Sequence, residues 1–191
     1  MSKLRTFVAT PVIDIEYLKK WVFNLRKQPV SGKIKWTNPD LWHLTFKFIG
    51  DIEKGQLSSL IESMSQALDG CNAGKLHFEG AGYFGSTKNP KVIWAGVRKN
   101  EWLDYIKKQV DRGVSVLDLF IDDRPFRPHL TLARVKYLKD SRPLIEAVNG
   151  KDDSIWGDFE LNRVVLYKSQ LTSDGPVYSE LKSFELIRDA K

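Results

Sequence analysis

Between Trp42 and Ile49 the chain alternates: Trp42, Leu44, Phe46 and Phe48 fall on one side of an extended backbone, and His43, Thr45 and Lys47 on the other. A period of two is that of a half-buried β-strand. Segments from Leu4 to Val12, Leu76 to Tyr83, Val92 to Val97, Arg127 to about Val135, Phe159 to Leu171 and Tyr178 to Leu186 also read as strands. Between them the spacing changes to i, i+3, i+4, i+7, which marks amphipathic helices. Leu18, Trp21, Val22 and Leu25 make the first stripe, and Leu57, Leu60, Ile61, Met64 and Leu68 the second, closing near Gly70. Trp102, Leu103, Ile106 and Val110 make the third, and Pro143 to Val148 is a shorter candidate. Pro11 with Asp14, Gly50-Asp51, the Gly85 to Pro90 loop and Ser173-Asp174-Gly175-Pro176 supply the punctuation between elements.

Helices and antiparallel-capable strands are mixed without strict βα alternation, so the expected class is α+β. A His-Leu-Thr tripeptide at His43-Leu44-Thr45 recurs 86 residues later at His129-Leu130-Thr131, each copy on a strand that follows a helix. The expected architecture is therefore bilobal and pseudo-twofold, with a cleft between the lobes. At 191 residues the chain is read as a single domain, 1–191, long enough to bury a real core.

Composition narrows the setting. The chain is 42% hydrophobic and 28% charged with no low-complexity tract, as expected of a soluble globular protein. The net charge of +6 favours phosphate-bearing or polyanionic partners, although general solubility would explain it too. A single cysteine, Cys71, allows no internal disulfide and supports no zinc site of the usual kinds. The apolar stretch Thr6 to Thr10 is too short for a signal sequence, and no run approaches the ~20 apolar residues of a membrane helix. A cytoplasmic location with no membrane partner is expected, as is a monomer.

The two tripeptides use two of only three histidines. In a strand, residues i and i+2 leave the same face, so each copy presents an imidazole beside a hydroxyl. A neutral imidazole takes a proton while a protonated one supplies the leaving oxygen, which is metal-free acid–base chemistry suited to a phosphodiester. Thr45 and Thr131 would hold non-bridging phosphate oxygens, although a threonine in a strand needs no function to explain it. Arg127, two residues before His129 and held extended by Pro128, is a candidate to grip phosphate. Arg124 and Arg134 are weaker candidates, and Lys47 would add positive potential on the His43 face. Tyr83 and Phe84 are candidates to stack on bases. His77, whose i+2 neighbour is Glu79, is assigned a structural role. A metal site on the motif histidines is disfavoured because threonines stand where further ligands would be needed.

These residues resemble the two-histidine phosphoesterase superfamily, whose signature is a pair of His-x-Thr/Ser-x motifs, here His43-Leu44-Thr45-Phe46 and His129-Leu130-Thr131-Leu132. Arg5 to Ala9, His43 to Gly50, Asn89 to Trp94 and Arg124 to Arg134 look like its RNA 2′,3′-cyclic phosphodiesterase branch, also called the 2′-5′ RNA ligase family. The resemblance implies two antiparallel sheets facing a central groove, no metal and no cofactor. It implies His43 as proton donor and His129 as proton acceptor, and hydrolysis of a terminal cyclic phosphate to a 2′-phosphomonoester, with 2′-5′ ligation in some members. RNA ending in a 2′,3′-cyclic phosphate, or a small cyclic-phosphate nucleotide, is the implied partner. The rival expectations are a cyclic nucleotide or ADP-ribose cyclic phosphate hydrolase, a 2′-5′ oligonucleotide phosphodiesterase and a non-catalytic RNA-binding module.

Overall fold

A computed structural model describes residues 3–118, 125–173 and 175–188; Arg124, and Asp174 of the last turn, lie outside the described residues. Within them run nine strands and four α-helices: β1 (Lys3–Pro11), α1 (Glu16–Leu25), β2 (Gly32–Trp36), β3 (His43–Glu53), α2 (Leu57–Leu68), β4 (Gly74–Gly85), β5 (Pro90–Val97), α3 (Glu101–Val114), β6 (His129–Leu138), α4 (Arg142–Asn149), β7 (Ile155–Leu161), β8 (Arg163–Leu171) and β9 (Pro176–Glu185). The class is α+β, as the sequence leads one to expect. Two elements differ from that expectation. The short, charged β2 escapes the periodicity, and the segment from Phe159 to Leu171 is two strands, β7 ending at Leu161 and β8 starting at Arg163.

The strands form one curled sheet in the order β7-β4-β5-β6-β3-β1-β8-β9, with β2 paired to β6. The order is mirrored about its centre: β6 and β3 meet, flanked by β5 and β1, then β4 and β8, then β7 and β9. At the centre the two halves touch through one backbone pairing, Leu44 with Leu130. Both leucines are fully buried, and burying a leucine contributes about 1.5–3 kcal/mol. Side-chain packing rather than a hydrogen-bonded ladder therefore holds the lobes together.

The helices line one face of the sheet. α3 packs on β3 and α2 on β9, whereas α1 meets β7 and α4 meets β4. α3 forms because Asn100 caps it, its side-chain oxygen accepting from Leu103 N–H at 2.8 Å, and because Glu101 and Asp104 sit in its first turn. Its buried stripe of Leu103, Ile106 and Val110 meets α2, where the absent side chain of Gly113 lets the backbones close: a Cβ there would lie 2.8 Å from Met64 Cα. The core between helices and sheet spans both lobes. A second, smaller cluster of Phe7, Ala9, Val165 and Tyr167, with Tyr178 against it, lies on the opposite face.

Register overturns part of the alternation read from Trp42 to Ile49. Val8 pairs with Lys47 but Ala9 pairs with Thr45, so Phe46 is an extra residue in β3. Such a bulge reverses the faces beyond it. Lys47 turns to the helix side, where its ammonium lies 3.8 Å from Asp111 of α3. Phe48 turns the other way, pairs with Phe7 and is 67% exposed, so it is not part of the apolar face with Trp42, Leu44 and Phe46. β6 carries the matching irregularity: Thr131 pairs with Trp94 and Ala133 with Ile93, leaving Leu132 extra and bringing Arg134 to the face of Thr131.

Candidate active site

The Leu44–Leu130 pairing fixes the geometry of the motifs. With both leucines pointing into the core, His43 and Thr45 on β3 and His129 and Thr131 on β6 leave the face opposite the helices. An antiparallel register then sets His43 alongside Thr131 and Thr45 alongside His129.

Each imidazole is held in the same way. His43 Nδ1 lies 2.8 Å from the Leu41 carbonyl oxygen, and His129 Nδ1 lies 2.7 Å from the Arg127 carbonyl oxygen. A carbonyl only accepts, so each Nδ1 carries the proton and donates it. In the neutral ring Nε2 is then the free base, and in the charged ring it is the acid. The bonding carbonyl belongs in both cases to the residue two before the histidine. The structure thus gives Arg127 a main-chain role, with its exposed side chain at the strand entrance. No hydrogen bond among the described residues engages either threonine hydroxyl.

Aromatic rings pack against the imidazoles. Tyr178 meets His43 edge-on at 5.3 Å between centroids, with Phe7 at 5.3 Å on a tilt, and Phe84 meets His129 edge-on at 4.9 Å. Trp94, beside Phe84 and paired with Thr131, lies across Gly82, where any Cβ would overlap the indole. Of the two aromatic candidates, Phe84 lies against His129 and its neighbour Tyr83 does not. Tyr83 pairs with the buried Ile93 and packs on the core, so one of two adjacent strand residues had to face away. Phe7, Trp94 and Tyr178 are functional candidates the periodicity missed. Each looks like an ordinary strand aromatic, and only the pairing partners reveal its face.

The electrostatics tie these groups together. Burial pushes both imidazoles below their ordinary value, against the upward pull of the carbonyl bonds from Leu41 and Arg127. The positive charge of Arg134 lowers both further, and that of His129 lowers His43. Burial raises the Tyr178 phenol, while Arg134 and Arg5 oppose that rise. Arg134 therefore acts on three of the site's titratable groups, five residues after His129 and brought round by the β6 bulge. Lys47, across the sheet with Asp111, stands on the other face. His77 lies elsewhere, at the β4–β7 edge, with Nδ1 2.7 Å from Asp158. Among the described residues no cluster of three or more histidine, cysteine, aspartate or glutamate side chains could hold a metal ion.

A family model described as LigT like phosphoesterase matches the chain twice, over residues 13–94 and 97–178. The chain belongs to this phosphoesterase family. Each match to the phosphoesterase model contains one of the two His-Leu-Thr motifs. It is 31% identical over 182 residues to an RNA 2′,3′-cyclic phosphodiesterase of Methanocaldococcus jannaschii, covering 95% of this chain and 100% of that protein. A protein of the same description from Archaeoglobus fulgidus is 30% identical over 182 residues, again covering 95% and 100%. In fold, the phosphoesterase is similar to the crystal structure of a Thermus thermophilus protein at TM-score 0.78 and 24% identity, covering 98% of this chain and 100% of that one. It is also similar to Escherichia coli LigT crystallised with 3′-AMP, at TM-score 0.75 and 21% identity, covering 97% and 99%. No helix among the described residues is long and apolar enough to cross a membrane.

Proposed function

We propose that this phosphoesterase hydrolyses the 2′,3′-cyclic phosphate at the end of RNA to a 2′-phosphomonoester. The observation that carries the reading is the matched pair of Nδ1–carbonyl bonds, which turns both Nε2 atoms away from those carbonyls, on a face that also carries two hydroxyls that no described residue engages. RNA as the substrate is supported by the names of the relatives.

In the proposed reaction His129 Nε2 takes a proton from water as its oxygen bonds to phosphorus. The P–O3′ bond breaks, and His43 Nε2 delivers its proton to O3′. Thr45 and Thr131 donate to the two non-bridging oxygens, and Arg134 offsets the charge that builds there. The donor and acceptor roles follow the family resemblance, since the near-mirror geometry would serve either direction. With a 5′-hydroxyl in place of water the same proton transfers yield a 2′-5′ linkage, so ligation belongs to the same chemistry. One chain supplies both motifs, and the proposed enzyme works as a monomer in the cytoplasm.

The test is incubation with RNA ending in a 2′,3′-cyclic phosphate. The 2′-monoester should form, EDTA should not slow it, and His43→Ala or His129→Ala should abolish it. A 3′-monoester product, or turnover that survives both substitutions, refutes the reading.

A further inference from the structure

Beyond Arg134, the β2–β6 ribbon carries a row of cations that the proposed acid–base chemistry does not use. Its register pairs Lys35 with Arg134 and Lys33 with Tyr137, leaving Lys136 as the extra residue of a bulge. Paired residues share a face, so Lys35, Lys33 and Tyr137 continue the face of His129, Thr131 and Arg134. All of them beyond Thr131 are exposed, Tyr137 by 58%. No acidic residue occurs in β2 or β6. The row leaves the site at Arg134, passes the β8–β9 turn, where Lys35 approaches Gly175, and runs out to the ribbon's tip. From Thr131 to Tyr137 a strand rises ~20 Å, the span of several nucleotides.

We propose that this ribbon is the track for the single-stranded RNA that precedes the terminal cyclic phosphate, with Lys33 and Lys136 facing phosphates and Tyr137 offering a ring to a base. The inference rests on the proposed function and extends it by naming the surface that holds the chain upstream of the cyclic phosphate. The backbone of such a strand is a line of single negative charges, which matches a line of cations leading out of the site. Stacking on a tyrosine requires no particular base, so the track reads polymer and not sequence.

The experiment pairs direct binding with turnover. A fluorescent single-stranded RNA of eight nucleotides is titrated by anisotropy at several salt concentrations, and hydrolysis of a mononucleoside 2′,3′-cyclic phosphate is measured on the same proteins. For Lys33→Gln/Lys136→Gln, RNA affinity should fall about tenfold, and the slope of log K against log salt should shrink by about 1.4, or 0.7 per lost phosphate contact. Mononucleotide hydrolysis should stay within twofold of wild type. Tyr137→Ala should weaken RNA binding with no change in salt slope. RNA binding unchanged in the double variant overturns the track, as does an equal loss in a control with Lys20→Gln on α1 and Lys27→Gln in the turn that follows it. Wild-type protein that binds RNA along the ribbon yet hydrolyses no cyclic phosphate would instead sink the proposed function and leave the track standing.

Discussion

Replacing Thr131 by valine exchanges the hydroxyl for a methyl while keeping the β-branched shape that suits the strand. Neither motif hydroxyl bonds to protein among the described residues, so the change removes nothing from the fold except one half-buried polar atom. Stability should move by no more than about 0.5 kcal/mol. The transition state, by contrast, loses a hydrogen bond to a charged phosphoryl oxygen, of the kind that contributes about 1.5–3 kcal/mol. At about 1.4 kcal/mol per factor of ten, kcat/KM should fall roughly 10- to 150-fold. Thr45→Val should match it, because the two strands present their hydroxyls in equivalent positions about the Leu44–Leu130 pairing. If each hydroxyl holds a different oxygen, the double variant should lose about 10²–10⁴-fold, with the effects adding as free energies. Initial rates on a 2′,3′-cyclic phosphate, with the monoester separated by chromatography, give the first quantity, and urea unfolding gives the second. Single variants within twofold of wild type would refute contact between these hydroxyls and the reacting phosphate. A rate loss matched by an equal stability loss would show that the hydroxyls serve the fold instead.

Burial and Arg134 hold both imidazoles below the usual 6.5, so the bell-shaped profile of kcat/KM should lie acid of that value. A bound phosphate anion favours imidazolium, so the limbs of kcat should lie at higher pH than those of kcat/KM; coincident profiles would contradict this. Arg134→Gln removes a positive charge that disfavours imidazolium, and both kcat/KM limbs should move to higher pH. Lys47→Met should leave kcat/KM within twofold of wild type, because Lys47 pairs with Asp111 behind the sheet and Asp111 keeps its bond from Lys107; a tenfold loss would return Lys47 to the cleft. Gly82→Ala forces the Trp94 indole aside. Equilibrium unfolding should show a cost of about 1–3 kcal/mol, and kcat/KM should drop because Trp94 is the strand neighbour of Thr131.

The reach of the sequence is clearest at the motif strands. The alternation from Trp42 to Phe46 is a local property of the chain, and burial follows it: Trp42, Leu44 and Phe46 are buried while His43 and Thr45 are partly exposed. One residue later it fails, because the bulge at Phe46 exists only through the partner strand, in the step from Val8–Lys47 to Ala9–Thr45. The helices were legible for the same local reason, their apolar stripes being set by 3.6-residue periodicity. The edge strand β2 was not, since Gly32–Trp36 is short, has lysine at two of its five positions and pairs, among the described residues, only with β6. Its stability comes from a neighbour about a hundred residues away, which no window of adjacent residues contains.

The chain by itself determined which chemical groups are on offer: two imidazoles, each with a hydroxyl two residues on, in strands whose period obliges each pair to share a face. Tertiary structure decided their meeting, through one buried leucine pairing between lobes. It decided their company too, sending Lys47 and Tyr83 to the core side while bringing Arg134 and Tyr178 to the imidazoles and Trp94 beside Thr131. The physical reason is that side-chain period is written in the covalent backbone, whereas register, bulges and cross-strand neighbours are properties of two strands at once.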